Sequence, residues 1–198
     1  MTQIMTCLFT ALAAFTTENL LFSGGVGLSR MMRVARRGKK AGVFAGLLTV
    51  FSLLSYLTAW GIWQLLPARS MFSAWLTLCY AGSCALWYVA GMFLLSAAAP
   101  KIFREVDQLM ASAAINTVVM ILPFVSMLRK WTIWQGLIYC LGTGAAFYLA
   151  IKIMTPLMPK LYDKKIPRAL RGLPAALLLL GLVALGMMGF TGDTLFFR

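Results

Sequence analysis

Residues 18–40 read ENLLFSGGVGLSRMMRVARRGKK. An apolar run carrying one acid, Glu18, and three glycines, Gly24, Gly25 and Gly27, passes directly into six basic residues, Arg30, Arg33, Arg36, Arg37, Lys39 and Lys40. With the apolar sequence upstream, residues 4–28 are long enough, at about 1.5 Å per residue, to cross a hydrocarbon layer about 30 Å thick. The abrupt basic end marks the point where the chain leaves lipid on a negatively charged face. Charge follows this span instead of preceding it, so the segment reads as an N-out anchor and not as a secretory signal. The glycines weaken helix continuity near its inner end.

Composition agrees. Of the 198 residues, 61% are hydrophobic and 12% charged, and the mean hydropathy is +0.85. A soluble globule of this length needs more polar surface than that, so the lipid bilayer is part of the solvent. The formal charge of +13 would in a soluble chain suggest nucleic acid; here it reads as basic loops at a membrane face, and no nucleic-acid partner is expected.

The first span has five successors. Residues 41–66 form a second uncharged span ended by Pro67, and residues 71–98 a third ended near Pro100. The mixed-charge segment KIFREVDQ, 101–108, reads as a loop or short interfacial helix. A fourth span over 109–128 contains Asn116 and Pro123; a fifth runs from Trp131 to about Ile151; and a polar run to Arg171 leads to a sixth at 173–192. The expectation is an all-α integral membrane protein of six transmembrane helices in one membrane domain.

Basic residues orient it. The first, third and fifth loops carry 14 Lys and Arg, whereas the opposite side receives four, Arg69, Arg129, Lys130 and Arg198. Both termini are therefore expected outside. Trp60, Trp63, Trp75, Trp131 and Trp134 fall near the outer ends of spans, where interfacial aromatics belong.

Six spans divided by a charged middle loop make two three-helix halves of opposite orientation, about 1–99 and 100–198. In such inverted repeats, interrupted helices at corresponding positions mark the working site. The first span of each half qualifies, through Gly24, Gly25 and Gly27 in one and Asn116 and Pro123 in the other.

Histidine is absent, and Cys7, Cys79, Cys84 and Cys140 each sit in an apolar run without a CxxC pair. These cysteines read as small buried hydrophobes, with no metal site or disulfide framework. Gly82, Gly91, Gly142, Gly144, Gly181, Gly186 and Gly189 read as close-packing points between helices.

Two terminal motifs carry a resemblance. ENLLFSGGVGLSRMMRVARRGKKA, 18–41, resembles the first-span signature of the Rnf/Nqr membrane-subunit family, and RGLPAALLLLGLVALGMMGFTG, 171–192, resembles its last span. The likeness is to the A subunit of Rnf and its Nqr counterpart. It implies an inverted-repeat subunit of the bacterial plasma (inner) membrane, paired with a homologous membrane subunit and joined by the other subunits of a redox-driven ion pump. It also implies a [2Fe-2S] cluster at mid-membrane, held by cysteines in the first and fourth spans of both partners.

The sequence departs from that pattern where it matters. Aligning Gly27 and Leu28 with the family's Gly-Leu-Cys-Pro puts Ser29 at the cysteine and Arg30 at the proline. The fourth-span Thr-Thr-Asn-Cys falls on Ala113, Ala114, Ile115 and Asn116, so Asn116 replaces the second cysteine. Neither a hydroxyl nor a neutral amide substitutes for soft, charged thiolates. The expectation is no cofactor in this chain. FTGDTLFF, 190–197, lacks the core of a covalent flavin motif and reads as a helix exit.

Glu18 is the sole acid inside an expected span. It reads either as a cation or proton site facing a polar cavity, or as a neutral carboxyl hydrogen-bonded near Asn19, Thr16 and Thr17. The family tends to have asparagine here. Asn19 and Asn116 are weaker ion-site candidates, since such residues more often make helix-to-helix hydrogen bonds than bind ions. Three functions stay open: a cluster-free, non-catalytic subunit of an electron-transport complex; a stand-alone inverted-repeat transporter with Glu18 as ion-coupling group; and a scaffold or assembly subunit.

Overall fold

The computed structural model describes residues 5, 27–37, 40–65, 74–163 and 166–188. Most of the first span, including Glu18 and Asn19, lies outside the described residues, as does the segment 190–197. The described residues form helices and turns, with no strand among them.

Among the described residues seven α-helices follow in order: α1 (Leu28–Arg37), α2 (Ala41–Leu65), α3 (Ala74–Ala98), α4 (Pro100–Ala114), α5 (Thr117–Leu128), α6 (Ile133–Leu157) and α7 (Leu173–Met188), with a 3-10 turn at Pro159–Tyr162 between the last two. Four stretches among the described residues are long and apolar enough to span a membrane: Ala41–Gln64, Thr77–Ala98, Val106–Leu128 and Ile133–Tyr162. Leu173–Gly186 is apolar and shorter.

The helix α2 is the hub, packing on α6 most extensively and also on α3, α4 and α5. Its inward face carries Phe44, Leu48, Ser52, Ser55 and Tyr56, all buried, at helical spacing. Its outward face carries Val43, Val50 and Leu57, all exposed. Both faces are apolar because lipid takes the place of water on the outer one. The two buried serines satisfy their hydroxyls within the helices, Ser52 by donating to Leu48 O at 2.6 Å and Ser55 by bonding with the Cys84 thiol at 3.0 Å. Cys140 sits against the same face, its thiol directed at Ser52 O.

The close fit of α2 on α6 depends on two glycines. A Cβ on Gly136 would overlap the Tyr56 ring, and one on Gly144 would overlap the Thr49 hydroxyl. Among the glycines read as packing points, Gly144 holds that role and Gly91 lies against Met110 and Phe51. Gly82, Gly181 and Gly186 instead face open space. Their helices carry exposed leucines on the same flanks, so no neighbour is there to exploit the missing side chain.

One reading of the middle segment is corrected. Residues 101–108 are neither a loop nor a separate short helix; they belong to α4, which starts on Pro100 in its first turn, where a missing N–H is harmless. The fourth span is interrupted at one of the two places where the sequence weakens it: α4 ends at Ala114 and α5 begins at Thr117. Pro123 lies within α5, and the interruption falls at Asn116.

The α5–α6 turn closes tightly. Trp131 N–H donates to Ser126 O and Lys130 N–H to Met127 O, the paired bonds of a Schellman terminus. Lys130 occupies the left-handed position usually given to glycine, with φ 51°. Gln135 Oε1 accepts from Thr132 N–H at 2.9 Å and caps the start of α6. Below the membrane-facing core, Arg36 donates to the Tyr162 hydroxyl at 2.6 Å and lies over its ring, tying the end of α1 to the 3-10 turn.

Candidate functional site: a junction of two helix starts

The interruption of the fourth span has a local cause. Asn116 adopts an extended backbone, φ −101° and ψ 140°, and its Oδ1 accepts from Val118 N–H at 3.3 Å. Its own carbonyl accepts from Met120 N–H. It is an N-cap of the residue type that favours this position, so a fresh helix begins where α4 has just ended.

The start of α1 lies directly against it. Gly27 has φ +79°, and a Cβ there would come within 2.9 Å of both Asn116 Oδ1 and Phe147 Cζ. Gly27 O accepts the first helical bond of α1, from Met31 N–H. Two helix N-termini therefore meet at Gly27 and Asn116, and their partial charges are both positive.

Arg30 completes the junction. Its guanidinium donates to Ser112 O at 3.0 Å and to Ala111 O at 3.4 Å, carbonyls in the last turn of α4, of which Ala111 O also accepts from Ile115 N–H. A cation is favoured at that end of a helix. An open cavity of about 410 Å³ adjoins it, lined by Arg30, Arg33, Ala111, Ser112 and Ile115.

Ser29 lies in the first turn of α1, between the two residues that make these contacts. Of the residues singled out from the sequence, the structure thus brings Gly27, Ser29, Arg30 and Asn116 to one place. Glu18 and Asn19 fall outside the described residues.

Asn116 is fully buried, and its Nδ2 has no hydrogen-bond partner among the described residues. Oδ1 already accepts from Val118 N–H, and the unpartnered Nδ2 offers the junction a donor. Arg30 and the two helix starts add positive charge, which opposes a bound cation. An iron–sulfur cluster does not fit these residues either, since an amide N–H and a guanidinium cannot ligate iron. No group of three or more His, Cys, Asp or Glu side chains gathers among the described residues. The thiols of Cys84 and Cys140 are turned into the α2 packing face.

A family model described as Rnf-Nqr subunit, membrane protein, matches residues 7–193. The chain belongs to the Rnf-Nqr family. This member is similar to the A subunit of the proton-translocating ferredoxin:NAD(+) oxidoreductase complex of Clostridium ljungdahlii, with 30% identity over 94 residues, 48% of this chain and 49% of that one. It is similar to the E subunit of the Na(+)-translocating NADH-quinone reductase of Hahella chejuensis, with 28% identity over 96 residues, 48% of this chain and 47% of that one. These two alignments span about half the length of each relative. A third, to the A subunit of the Na(+)-translocating ferredoxin:NAD(+) oxidoreductase complex of Acetobacterium woodii, has 23% identity but covers 95% of this chain and 98% of that one. The Rnf-Nqr chain is thus a membrane subunit homologous to the Rnf A and Nqr E subunits of ion-translocating electron-transport complexes.

Arg30 is the residue whose role the sequence does not reveal. Its basic neighbours make it look like one more topology signal, and the carbonyls it binds are 81 and 82 residues away.

Proposed function

We propose that this Rnf-Nqr chain is a cluster-free structural subunit of a redox-driven ion-translocating complex in the bacterial inner membrane. It has six spans in two inverted three-helix repeats, both termini outside, and its neighbour is a homologous membrane subunit. The observation that carries the reading is the junction itself. The interrupted span remains, but an asparagine cap and an arginine clasp hold it where the family resemblance would place thiolates. Such a junction keeps the scaffold's shape without carrying electrons.

In this reading Asn116 is a helix cap and not an ion ligand, and Glu18 keeps its candidacy as a coupling carboxyl. Complementary positions on a homologous partner would contribute the electron path, and the present chain would position that partner.

Affinity purification from native membranes tests this. The chain should co-isolate with redox subunits and a second family member, and the chain isolated by itself should contain no stoichiometric iron or sulfide. A self-sufficient homodimer that transports a substrate, with transport abolished by Glu18→Gln, would replace this reading with that of a stand-alone transporter. Stoichiometric iron lost on replacing Cys79, Cys84 or Cys140 would show the cluster to be elsewhere in the chain.

A further inference from the structure

The Gly27–Asn116 junction brings together hydrogen-bond donors from three sources. The first N–H groups of α1 and α5 have no carbonyl of their own helices to bond, and Asn116 Oδ1 answers one of them, Val118 N–H. The Asn116 side chain is turned to the start of α1, since Oδ1 lies 2.9 Å from where a Cβ on Gly27 would stand. Its Nδ2, the other end of the same planar amide, is fully buried and unpartnered. A buried donor without an acceptor is costly, and a ligand that only accepts relieves it.

Arg30 is fixed beside these donors. Both of its bonds, to Ser112 O and Ala111 O, run from Nη1, which leaves the N–H groups on Nη2 and Nε for a ligand. Arg33, one turn further along α1, is exposed, makes no ion pair or hydrogen bond with another described residue, and lines the same cavity of about 410 Å³. The other walls, Ala111, Ser112 and Ile115, carry no charge. This place is also deep. Asn116 stands at the middle of the apolar stretch Val106–Leu128, and Ser112 is about 7–8 Å from that middle at about 1.5 Å per residue. A charged side chain at such depth marks an ion or substrate site.

We infer that the junction binds a small monovalent anion of the halide class, drawn in past Arg33 and held by Arg30 and Asn116 Nδ2 beside the start of α1. Helix starts that meet inside a membrane favour negative charge. Depth selects the ion. The cost of desolvation grows steeply with charge, so a singly charged ion enters where sulfate or hydrogen phosphate does not. A lipid headgroup suits the site less well, because its phosphate lies at the edge of the hydrocarbon, about 15 Å from the midplane, and would have to sink well below that edge to meet Arg30. The inference does not rest on the proposed place of the chain in a redox complex: it concerns contacts inside one chain, and failure to co-isolate with redox subunits leaves it standing.

The test uses the full chain in phosphatidylcholine nanodiscs, in a chloride-free gluconate buffer, with radiolabelled chloride as probe. Equilibrium dialysis against empty discs should show saturable binding of one chloride per chain, displaced by bromide and not by sulfate, and chloride should raise the unfolding temperature to a plateau. Arg33→Gln should weaken binding about tenfold, whereas Lys160→Gln, the same charge change on an exposed residue outside the cavity, leaves it unchanged. Asn116→Asp keeps the cap and supplies negative charge from within, so it should bind no chloride and unfold at a temperature indifferent to chloride. Arg33 is exposed, and its substitution reports on binding even if Asn116→Asp impairs folding. Chloride uptake equal to that of empty discs, or saturable binding indifferent to Arg33→Gln and Asn116→Asp alike, would overturn the inference. So would displacement by sulfate as readily as by bromide, which would reduce the site to general surface charge, or displacement by phosphatidylglycerol added to the discs, which would assign the arginines to a lipid headgroup.

Discussion

Gly27 and Asn116 touch so closely that a methyl group on the glycine would lie 2.9 Å from the asparagine's Oδ1. Gly27→Ala meets this contact, the Phe147 ring at the same distance, and a backbone of φ +79° that L-residues rarely adopt. The substitution should destabilise the protein by about 1–3 kcal/mol, read as a lower unfolding temperature in detergent. Adding Asn116→Ala should recover only part of the loss, because the backbone strain and the Phe147 contact persist.

Removing the clasp should cost a comparable amount. Arg30→Met leaves the Ser112 and Ala111 carbonyls without their charged donor, a loss of about 1.5–3 kcal/mol. Arg30→Pro should behave like Arg30→Met and not like a proline in a helix interior, because residue 30 lies in the first turn of α1, where its N–H has no helical partner. Thermal unfolding of the two variants side by side checks the claim; a far larger loss in the proline variant would mean that α1 begins earlier than Leu28.

Glycine substitutions should divide by face. Gly144→Ala drives a methyl into Thr49 and should cost about 1–3 kcal/mol, with Thr49→Ala restoring much of it. Gly82→Ala points into open space and should be neutral or stabilising by up to about 1 kcal/mol, the helix-propensity difference. Equal losses at both positions would contradict the packing of α2 on α6.

The Arg36–Tyr162 tie should be separable into two parts. Tyr162→Phe removes the 2.6 Å hydrogen bond but keeps the ring under the guanidinium, whereas Tyr162→Ala removes both. Limited proteolysis of the segment after α6 should accelerate modestly in the first variant and strongly in the second. Gly172→Ala, at φ +85° and 3.1 Å from the Tyr162 ring, should accelerate it as well.

Orientation can be read directly. With its 14 basic loop residues on one side and four on the other, a cysteine introduced at Gly38 in a chain lacking the native cysteines should react with an impermeant thiol reagent only from inside. Labelling from outside would reverse the proposed topology.

The span boundaries of α2 and α3 are legible in the sequence because charge and proline bracket uniformly apolar runs. The weak point at Asn116 is legible too, as an amide inside an apolar span. What hydropathy does not reveal is rotation. In a helix apolar on every side, no periodicity separates the face meeting protein from the face meeting lipid, so nothing marks Gly136 as a contact and Gly82 reads as having a neighbour it lacks. Long-range pairs are hidden for the same reason. Nothing near Arg30 in the sequence points to Ser112, and the tryptophans at positions 60, 63 and 131 read as separate interface anchors although they border one cavity.

The outward face of α3, with Leu78, Leu86, Phe93 and Leu94 exposed, has a bearing on how such a chain can drift. Lipid tails are as indifferent to leucine as to phenylalanine or valine, so most of that surface can exchange one hydrocarbon for another without penalty. The positions that cannot wander are the few where backbones nearly touch or a polar atom is enclosed. A full-length relative at 23% identity can therefore share this architecture while most of its side chains differ, and a search for common ancestry is better weighted toward small and enclosed polar residues than toward the abundant hydrocarbon.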